Sequence, residues 1–441
     1  MLLQSSCLLL ISEFVFYLKI KSMKRNDRII LAIDLKSFYA SVECLDRGLD
    51  PFETPLVVAD ESRGDGTIVL AASPYIKEKY GVKSRCRLYD VPKDIEGLII
   101  AMPKMKRYLE ISACINDIYL EYVSEEDLYI YSIDESFLDV TNYLKRNNDS
   151  PRSYAEKIIK EIKSKYGLTV TAGVGLNLFM AKAAMDIEAK HNKDFIAVWD
   201  YNSIPEHLWR VEPLSKMWGI GRQLEKRLNK MGFYCVGDIA TSDPEYLKGE
   251  LGVIGEEIYY HSLGYDDALL SEKYQSKDHS LTCGQVLLRD FAPSEMVTLI
   301  RDMSIEISDR LHEEKKKSDM FYLYLGLKNH DGYGKKISFC TPTDSSEKIG
   351  KALVEKYLED KLDEDTLFRM ISIVAVDVVD KDKYQLSLFN NEEDDRELER
   401  LDETLIRIRK KYGTVKAMPC SAMSLSSTYL TRRNQIGGHH A

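Results

Sequence analysis

The stretch Tyr131-Ser-Ile-Asp134-Glu135-Ser-Phe137-Leu-Asp-Val-Thr141 sets two adjacent carboxylates between two short β-type runs. Neighbouring side chains on a straight strand point to opposite faces. At a hairpin corner they converge, and like charges held that close need a cation to stay ionised at neutral pH. A third acid, Asp34, closes the run 28–33 and is followed by Leu35-Lys-Ser-Phe38-Tyr39-Ala-Ser-Val-Glu43. Three hard oxygen ligands at strand ends suit Mg²⁺, which takes carboxylates, waters and substrate phosphates rather than an all-protein cage. For any one of these acids the alternative is a charge that blunts a strand end.

Around that stretch, β-rich runs alternate with helix-period stretches from residue 28 to 199, which predicts a mixed α/β domain. The expected strands are 29–34, 56–60, 68–73, 98–102, 128–133, 137–141, 169–174 and 195–199, with helices over 105–123 and 153–166. In a ferredoxin-like βαββαβ sheet, Asp34 and the Asp134–Glu135 corner can meet on one edge. A second unit starts near Pro213 with Met217-Trp-Gly219-Ile220-Gly221-Arg, two helices joined by a glycine hairpin. Such a hairpin exposes backbone N–H groups at a helix start and binds a phosphate whatever the base. An ordinary helical hairpin with glycine caps is its alternative, and a weaker copy follows at 251–256.

The polar run 265–282 reads as a linker. Beyond it another α/β pattern appears: a strand to Leu288, a helix over 294–312, strands 321–327 and 336–340, a helix over 345–358 and a strand over 368–379. The chain then gives Tyr384-Gln385-Leu386-Ser-Leu388-Phe389 ahead of an acidic linker, 392–403. An extended peptide with alternate apolar anchors suits docking into a partner's groove, and a last strand folding back on its own domain is the competing reading.

At 441 residues the chain is too long for one core and length alone gives about three domains. A 44% hydrophobic and 30% charged composition is that of a soluble globular protein. The formal charge of −10 runs against a nucleic-acid partner in bulk. Much of it lies in 355–403, however, whereas 404–441 holds bases and no acid, so the total neither supports nor excludes DNA. Eight scattered cysteines without a CxxC pair predict reduced thiols and no zinc site, and His439 and His440 read as a tail. Residues 1–22 are apolar in places but lack a basic n-region and carry Glu13, which argues against a signal peptide. They also fall short of the roughly 20 apolar residues of a membrane span, and Met23 offers an alternative start.

Taken in order, these motifs resemble the Y-family of translesion DNA polymerases, the DinB/UmuC superfamily, and its UmuC-like branch of Gram-positive bacteria in particular. The resemblance rests on Ile33-Asp-Leu-Lys-Ser-Phe-Tyr39, Ser132-Ile-Asp-Glu-Ser-Phe137, the Gly-Val-Gly-Leu-Asn-Leu run from Gly173, the helix-hairpin-helix and the terminal Gly-Gly-His-His. It implies an α+β multidomain fold, a right-hand polymerase with a ferredoxin-like palm, small fingers, a helical helix-hairpin-helix thumb and an α/β little finger. The expected bounds are an extension 1–27, a palm 28–200 with fingers inserted at about 40–100, a thumb 201–264, a linker 265–282, a little finger 283–380, and a clamp-binding peptide and tail 381–441.

The resemblance further implies that Asp34, Asp134 and Glu135, with the Leu35 carbonyl, hold two Mg²⁺ ions. It makes Phe38, Tyr39, Tyr75, Lys77 and Lys190 nucleotide-binding, with Tyr39 the steric gate against a ribose 2′-hydroxyl. Gly219, Ile220 and Gly221 would contact the DNA backbone, and Gln385, Leu386, Leu388 and Phe389 a sliding clamp. Where many relatives carry arginine three residues after the tyrosine, this chain has Glu78, with Lys77 or Lys79 as candidate substitutes. Lys36 stands where the DinB branch has an acid, which marks subtype. The implied partners are primer-template DNA, deoxynucleoside triphosphates and a sliding clamp, for a cytoplasmic monomer with no membrane association. A palm-type nucleotide cyclase or a non-catalytic DNA- and clamp-binding scaffold are the competing functions. The first has no need of the glycine hairpin, and the intact acids argue against the second.

Overall fold

The computed structural model describes residues 27–272, 280–329, 331–382 and 392–440. Two compact units divide the chain near Lys273. In the first, the central strand β1 (Ile30–Leu35) is apolar throughout except for Asp34, as befits a strand covered on both faces. After it come helix α1 (Phe38–Leu45), strands β2 (Leu56–Val58) and β3 (Ala71–Ala72), helix α2 (Pro74–Tyr80) and strand β4 (Ile99–Ala101). These short strands form their own sheet, ordered β3-β2-β4, over a core that includes Val57, Val69 and Ile76. The expected strand 68–73 shrinks to Ala71–Ala72, because Ile68 makes only an isolated bridge to Arg87.

Helix α3 (Met105–Tyr122), strands β5 (Leu128–Ile130) and β6 (Glu135–Asp139), helices α4 (Thr141–Asn147) and α5 (Pro151–Tyr166), strand β7 (Val170–Gly175), helix α6 (Leu178–Ala183) and strand β8 (Ile196–Val198) complete the main sheet and its cover. Its order is β5-β6-β1-β7-β8. The first four strands in that order are antiparallel neighbours arranged as in a split βαβ ferredoxin-like sheet, and β8 adds a parallel edge. Ile30, Ala32 and Phe137 pack on Leu178, Ala181 and Met185 on one face, and α3 and α5 pack together by the other. Glu135 opens β6 rather than lying in the turn, so the corner is Tyr131 to Asp134.

The close approach of α6 to β7 is what the Gly173-Val-Gly175 run provides. A Cβ on Gly173 would come within 3.0 Å of the Ala181 carbonyl oxygen and the Met185 amide nitrogen, and one on Gly175 would meet the Ala181 nitrogen. After α6 the backbone widens into a π-helical turn over Ala184–Glu188. Helices α7 (Arg222–Lys230), α8 (Val236–Ala240), α9 (Pro244–Leu251) and α10 (Val253–Ser262) then close a core containing Trp209, Leu228 and Ile258.

The second unit has the element order βαββαβ: β9 (Leu281–Phe291), α11 (Pro293–Glu313), β10 (Lys316–Leu327), β11 (Gly332–Thr343), α12 (Ser346–Leu358) and β12 (Phe368–Val376). The sheet runs β11-β10-β12-β9, antiparallel throughout, and so differs from the first in strand order. Phe321, Leu323 and Leu325 alternate inward against Leu299, Met303 and Leu353 of the two helices, while Tyr322 and Tyr324 face solvent.

Two readings of the tail are corrected here. The acidic run is no linker but the start of a 21-residue helix, α13 (Glu392–Tyr412), which docks on this unit. Its acids meet cations and N–H groups already in place: Glu399 pairs with Lys317, Glu403 with Lys381 at 2.9 Å, and Asp402 accepts from the Ser346 N–H at 2.9 Å. Arg409, Lys410 and Lys411 in its last turn complement the helix dipole. His439 and His440 are not a loose end either, since they pair with Gln435 and Ile436 across Gly437 and Gly438. Both glycines have positive φ, the conformation a two-residue hairpin turn demands.

Candidate functional site

Strand register brings the acids together. Asp34 lies directly opposite Glu135 in the β1–β6 pairing, with Asp134 the residue before it. The Leu35 N–H donates to the Asp134 carbonyl at 2.9 Å, and the N–H groups of Tyr131 and Ser132 both donate to the Glu135 carbonyl at 3.0 Å. The corner is thereby pinned from both sides. The Ser132 hydroxyl donates to Asp134 Oδ1 at 2.7 Å.

Two lysines attend these carboxylates. Lys182 Nζ lies 2.6 Å from Glu135 Oε1 and 3.0 Å from Asp186 Oδ2. Lys190 Nζ lies 3.5 Å from Asp34 Oδ2 and 2.7 Å from Asp186 Oδ1. Burial pushes the Asp34 and Glu135 carboxyls above their ordinary values, against the pull of Lys190 and Lys182 respectively. Burial also works against the Lys190 ammonium, but Asp34 and Asp186 outweigh it and hold it above the ordinary lysine value.

No group of three His, Cys, Asp or Glu side chains among the described residues is disposed to hold an ion in this conformation. The donor chemistry nonetheless fits a hard divalent cation. Buried Glu135 and partly buried Asp34 lie opposite one another on neighbouring strands, each beside a positive charge, and Asp134 adds a third carboxylate at the same corner.

A cleft of about 1060 Å³ opens over this corner. Asp34, Leu35, Asp134 and Glu135 line it, as do Phe38, Tyr39, Lys77 and Lys190. The Tyr39 ring stacks on Tyr108 at 4.4 Å and 15°, and the Tyr108 hydroxyl donates to buried Glu43 at 2.9 Å, so the gate candidate rests on a fixed platform. Burial, then the Asp134 charge, raises its phenol.

Tyr75 is not among the lining residues; its hydroxyl accepts from Lys79 Nζ at 2.7 Å. Of the two lysines beside Glu78, Lys77 is the one that lines the cleft, where it donates to Ser37 Oγ at 2.8 Å. In the helical region, Ile220 is buried and its N–H donates to Met217, whereas Gly219 and Gly221 are exposed. Gly219 has φ +91°, and Gly221 starts α7 with no side-chain cap. Gln385, Leu386, Leu388 and Phe389 lie outside the described residues.

Sequence reasoning passed over three charged groups of the cleft region. Arg85 lines the cleft from a left-handed backbone position, φ 65°. Lys182 and Asp186 complete the charge network, and their signal was available in the spacing of Lys182, Asp186 and Lys190, four residues apart.

Comparisons with known proteins bear on this arrangement. The model of the impB/mucB/samB family matches residues 33–186, and that of the IMS family HHH motif matches 201–233. UvrX of Bacillus subtilis (strain 168), a UV-damage repair protein by name, is 33% identical over 414 residues, 93% of this chain and 97% of that protein. DNA polymerase IV 2 of the same organism is 25% identical over 94% of this chain and 99% of its own length. Among solved structures, the Y-family DNA polymerase chimera Dbh-Dpo4(243-245)-Dbh superposes with a TM-score of 0.64 over 80% of this chain and 99% of its own, at 21% identity, a likeness of fold.

Proposed function

This chain belongs to the Y-family of DNA polymerases, the impB/mucB/samB proteins, and we propose that it is a template-directed DNA polymerase that adds deoxynucleotides to a primer end across damaged template bases. The observation that carries the reading is the pairing of Asp34 with Glu135, next to Asp134, in a cleft shared with Tyr39, Lys77 and Lys190.

In this reading Asp34, Asp134 and Glu135, with the Leu35 carbonyl, would hold two Mg²⁺ ions. Such a pair would lower the charge penalty on both the attacking 3′-oxygen and the departing pyrophosphate. The chain's own residues supply position and charge, which is most of what phosphoryl and nucleotidyl transfer asks of a protein. Lys190 and Lys77 take the triphosphate. Tyr39, braced by Tyr108, fills the space a 2′-hydroxyl would need. Phe38, whose ring lies 5.7 Å from that of Tyr39 and which also lines the cleft, contacts the nucleotide beside it. Exposed Gly219 and Gly221 let a duplex phosphate approach the backbone, and Ile220 anchors the hairpin from within. The peptide 385–389 tethers the enzyme to a sliding clamp. The protein works in the cytoplasm as a monomer, and no helix among the described residues is long and apolar enough to cross a membrane.

Two variants separate chemistry from grip. Asp134→Ala is expected to lose nucleotide addition by at least about a thousandfold while binding primer-template within a few-fold of the parent. Gly221→Asp is expected to weaken binding to all sequences alike, because it adds a charge where a phosphate approaches. Single-turnover extension and anisotropy titrations measure the two. Substantial Mg²⁺-dependent addition by folded Asp134→Ala would remove the basis of the proposal, and unchanged affinity in Gly221→Asp would reduce the hairpin to a structural turn.

A further inference from the structure

Glu135, Lys182, Asp186, Lys190 and Asp34 form one run of alternating charge, with contacts of 2.6, 3.0, 2.7 and 3.5 Å in that order. Its middle member, Asp186, lies in the π-helical turn Ala184–Glu188, and such turns gather at functional sites. The turn is held against the sheet by Gly173, whose missing Cβ leaves room for the Met185 backbone, so Asp186 is fixed relative to β1.

The two lysines face a conflict if the acids serve metal ions. Lys182 is 8% exposed and Glu135 9%, so this ammonium cannot fall back on water when its carboxylate is given to another cation. A buried charge that loses its partner is strongly destabilising. Lys190, half-buried, must similarly leave Asp34 to reach a triphosphate. Asp186 already contacts both lysines, one with each carboxylate oxygen.

Resting on the polymerase reading above, we propose that Asp186 is a positioning residue: it is the shared acceptor onto which Lys182 and Lys190 withdraw, leaving Glu135 and Asp34 free for metal and keeping Lys190 aimed at the triphosphate. The role also screens each ammonium from the incoming cation. A purely structural ladder would make the same contacts, but it predicts a different response to substitution.

The test uses the full chain. Mn²⁺ is titrated by calorimetry into the parent, D186N, D186E and K182Q without DNA, and KM and kcat for a matched deoxynucleotide are measured with Mg²⁺ on a primer-template. D186N should weaken Mn²⁺ binding by about tenfold or more, as loss of a group supporting metal ligands does, and raise KM more than it lowers kcat. D186E should recover part of both. K182Q should move the other way and tighten Mn²⁺, since it removes the cation that competes for Glu135. Parent-like Mn²⁺ affinity and KM in folded D186N would overturn the assignment, and so would weaker or unchanged Mn²⁺ binding in K182Q. If D186N loses its melting transition, the sign of the K182Q change decides. A parent that extends primers while the variants match it refutes only the role of Asp186. A folded parent that neither binds Mn²⁺ nor extends primers removes the polymerase reading and this role together.

Discussion

Tyr39 is where the proposed chemistry can be told from its neighbours, because other phosphoryl-transfer enzymes share a metal site but only an enzyme selecting deoxynucleotides needs a sugar filter. Its ring lies flat on Tyr108, which is in turn tied to Glu43, so it cannot readily yield to a hydroxyl. Tyr39→Ala should keep much of its deoxynucleotide addition and lose about a hundredfold in discrimination against ribonucleotides, about 2.7 kcal/mol. The ratio of kcat/KM for a matched deoxy and ribo pair, in parent and variant, measures it. An unchanged ratio in an active variant would make Tyr39 a packing residue only. At this scale the acids of the candidate site were legible. Asp34 and the Asp134–Glu135 pair stood out because acids ending apolar runs are conspicuous in one dimension. Lys182 and Asp186 did not, since a lysine on a helix looks solvated until the fold buries it against Glu135. Tyr75 shows the opposite case: its place in the motif suggests the nucleotide, whereas its hydroxyl accepts from Lys79 and the residue does not line the cleft.

Among the elements, β7 and the helix crossing it set the geometry of the charge network. Gly173→Ala should destabilise the first unit by about 1–3 kcal/mol, the usual result of forcing a methyl into filled space, because the obstruction is backbone and cannot swing away. Lowered thermal stability with reduced nucleotide addition is the expected outcome. A parent-like melting curve would show that the helix can slide off β7. Periodicity found the long helices 105–122 and 151–166 within a residue or two, as their buried faces repeat at helical spacing. It failed for 392–412, where acids dense enough to suggest a linker are instead neutralised by cations of other elements, Lys317 and Lys381. It also overextended strand 68–73, which had β-type residues but a neighbour, β2, only three residues long.

On the scale of the molecule, two units with the same βαββαβ run adopt different strand orders, a choice made by long-range pairing that no local pattern encodes. Ordered motifs, by contrast, gave the family, because several sites of middling specificity rarely occur in one sequence by chance. The peptide 385–389 acts at this scale too. Replacing Leu388 and Phe389 with Ala should spare synthesis on short primers and remove stimulation by a sliding clamp, since tethering raises local concentration without new DNA contacts. Equal clamp affinity of variant and parent by calorimetry would refute the tether. The central claim is that the whole chain copies past damage, and one measurement meets it directly: running-start primer extension with Mg²⁺ on matched templates, undamaged and carrying a single abasic site. The account predicts full-length product from both templates with the parent, and none from either with Asp134→Ala. Well-folded parent protein that adds nothing to either primer, or that copies the undamaged template and stops at the abasic site, would contradict it.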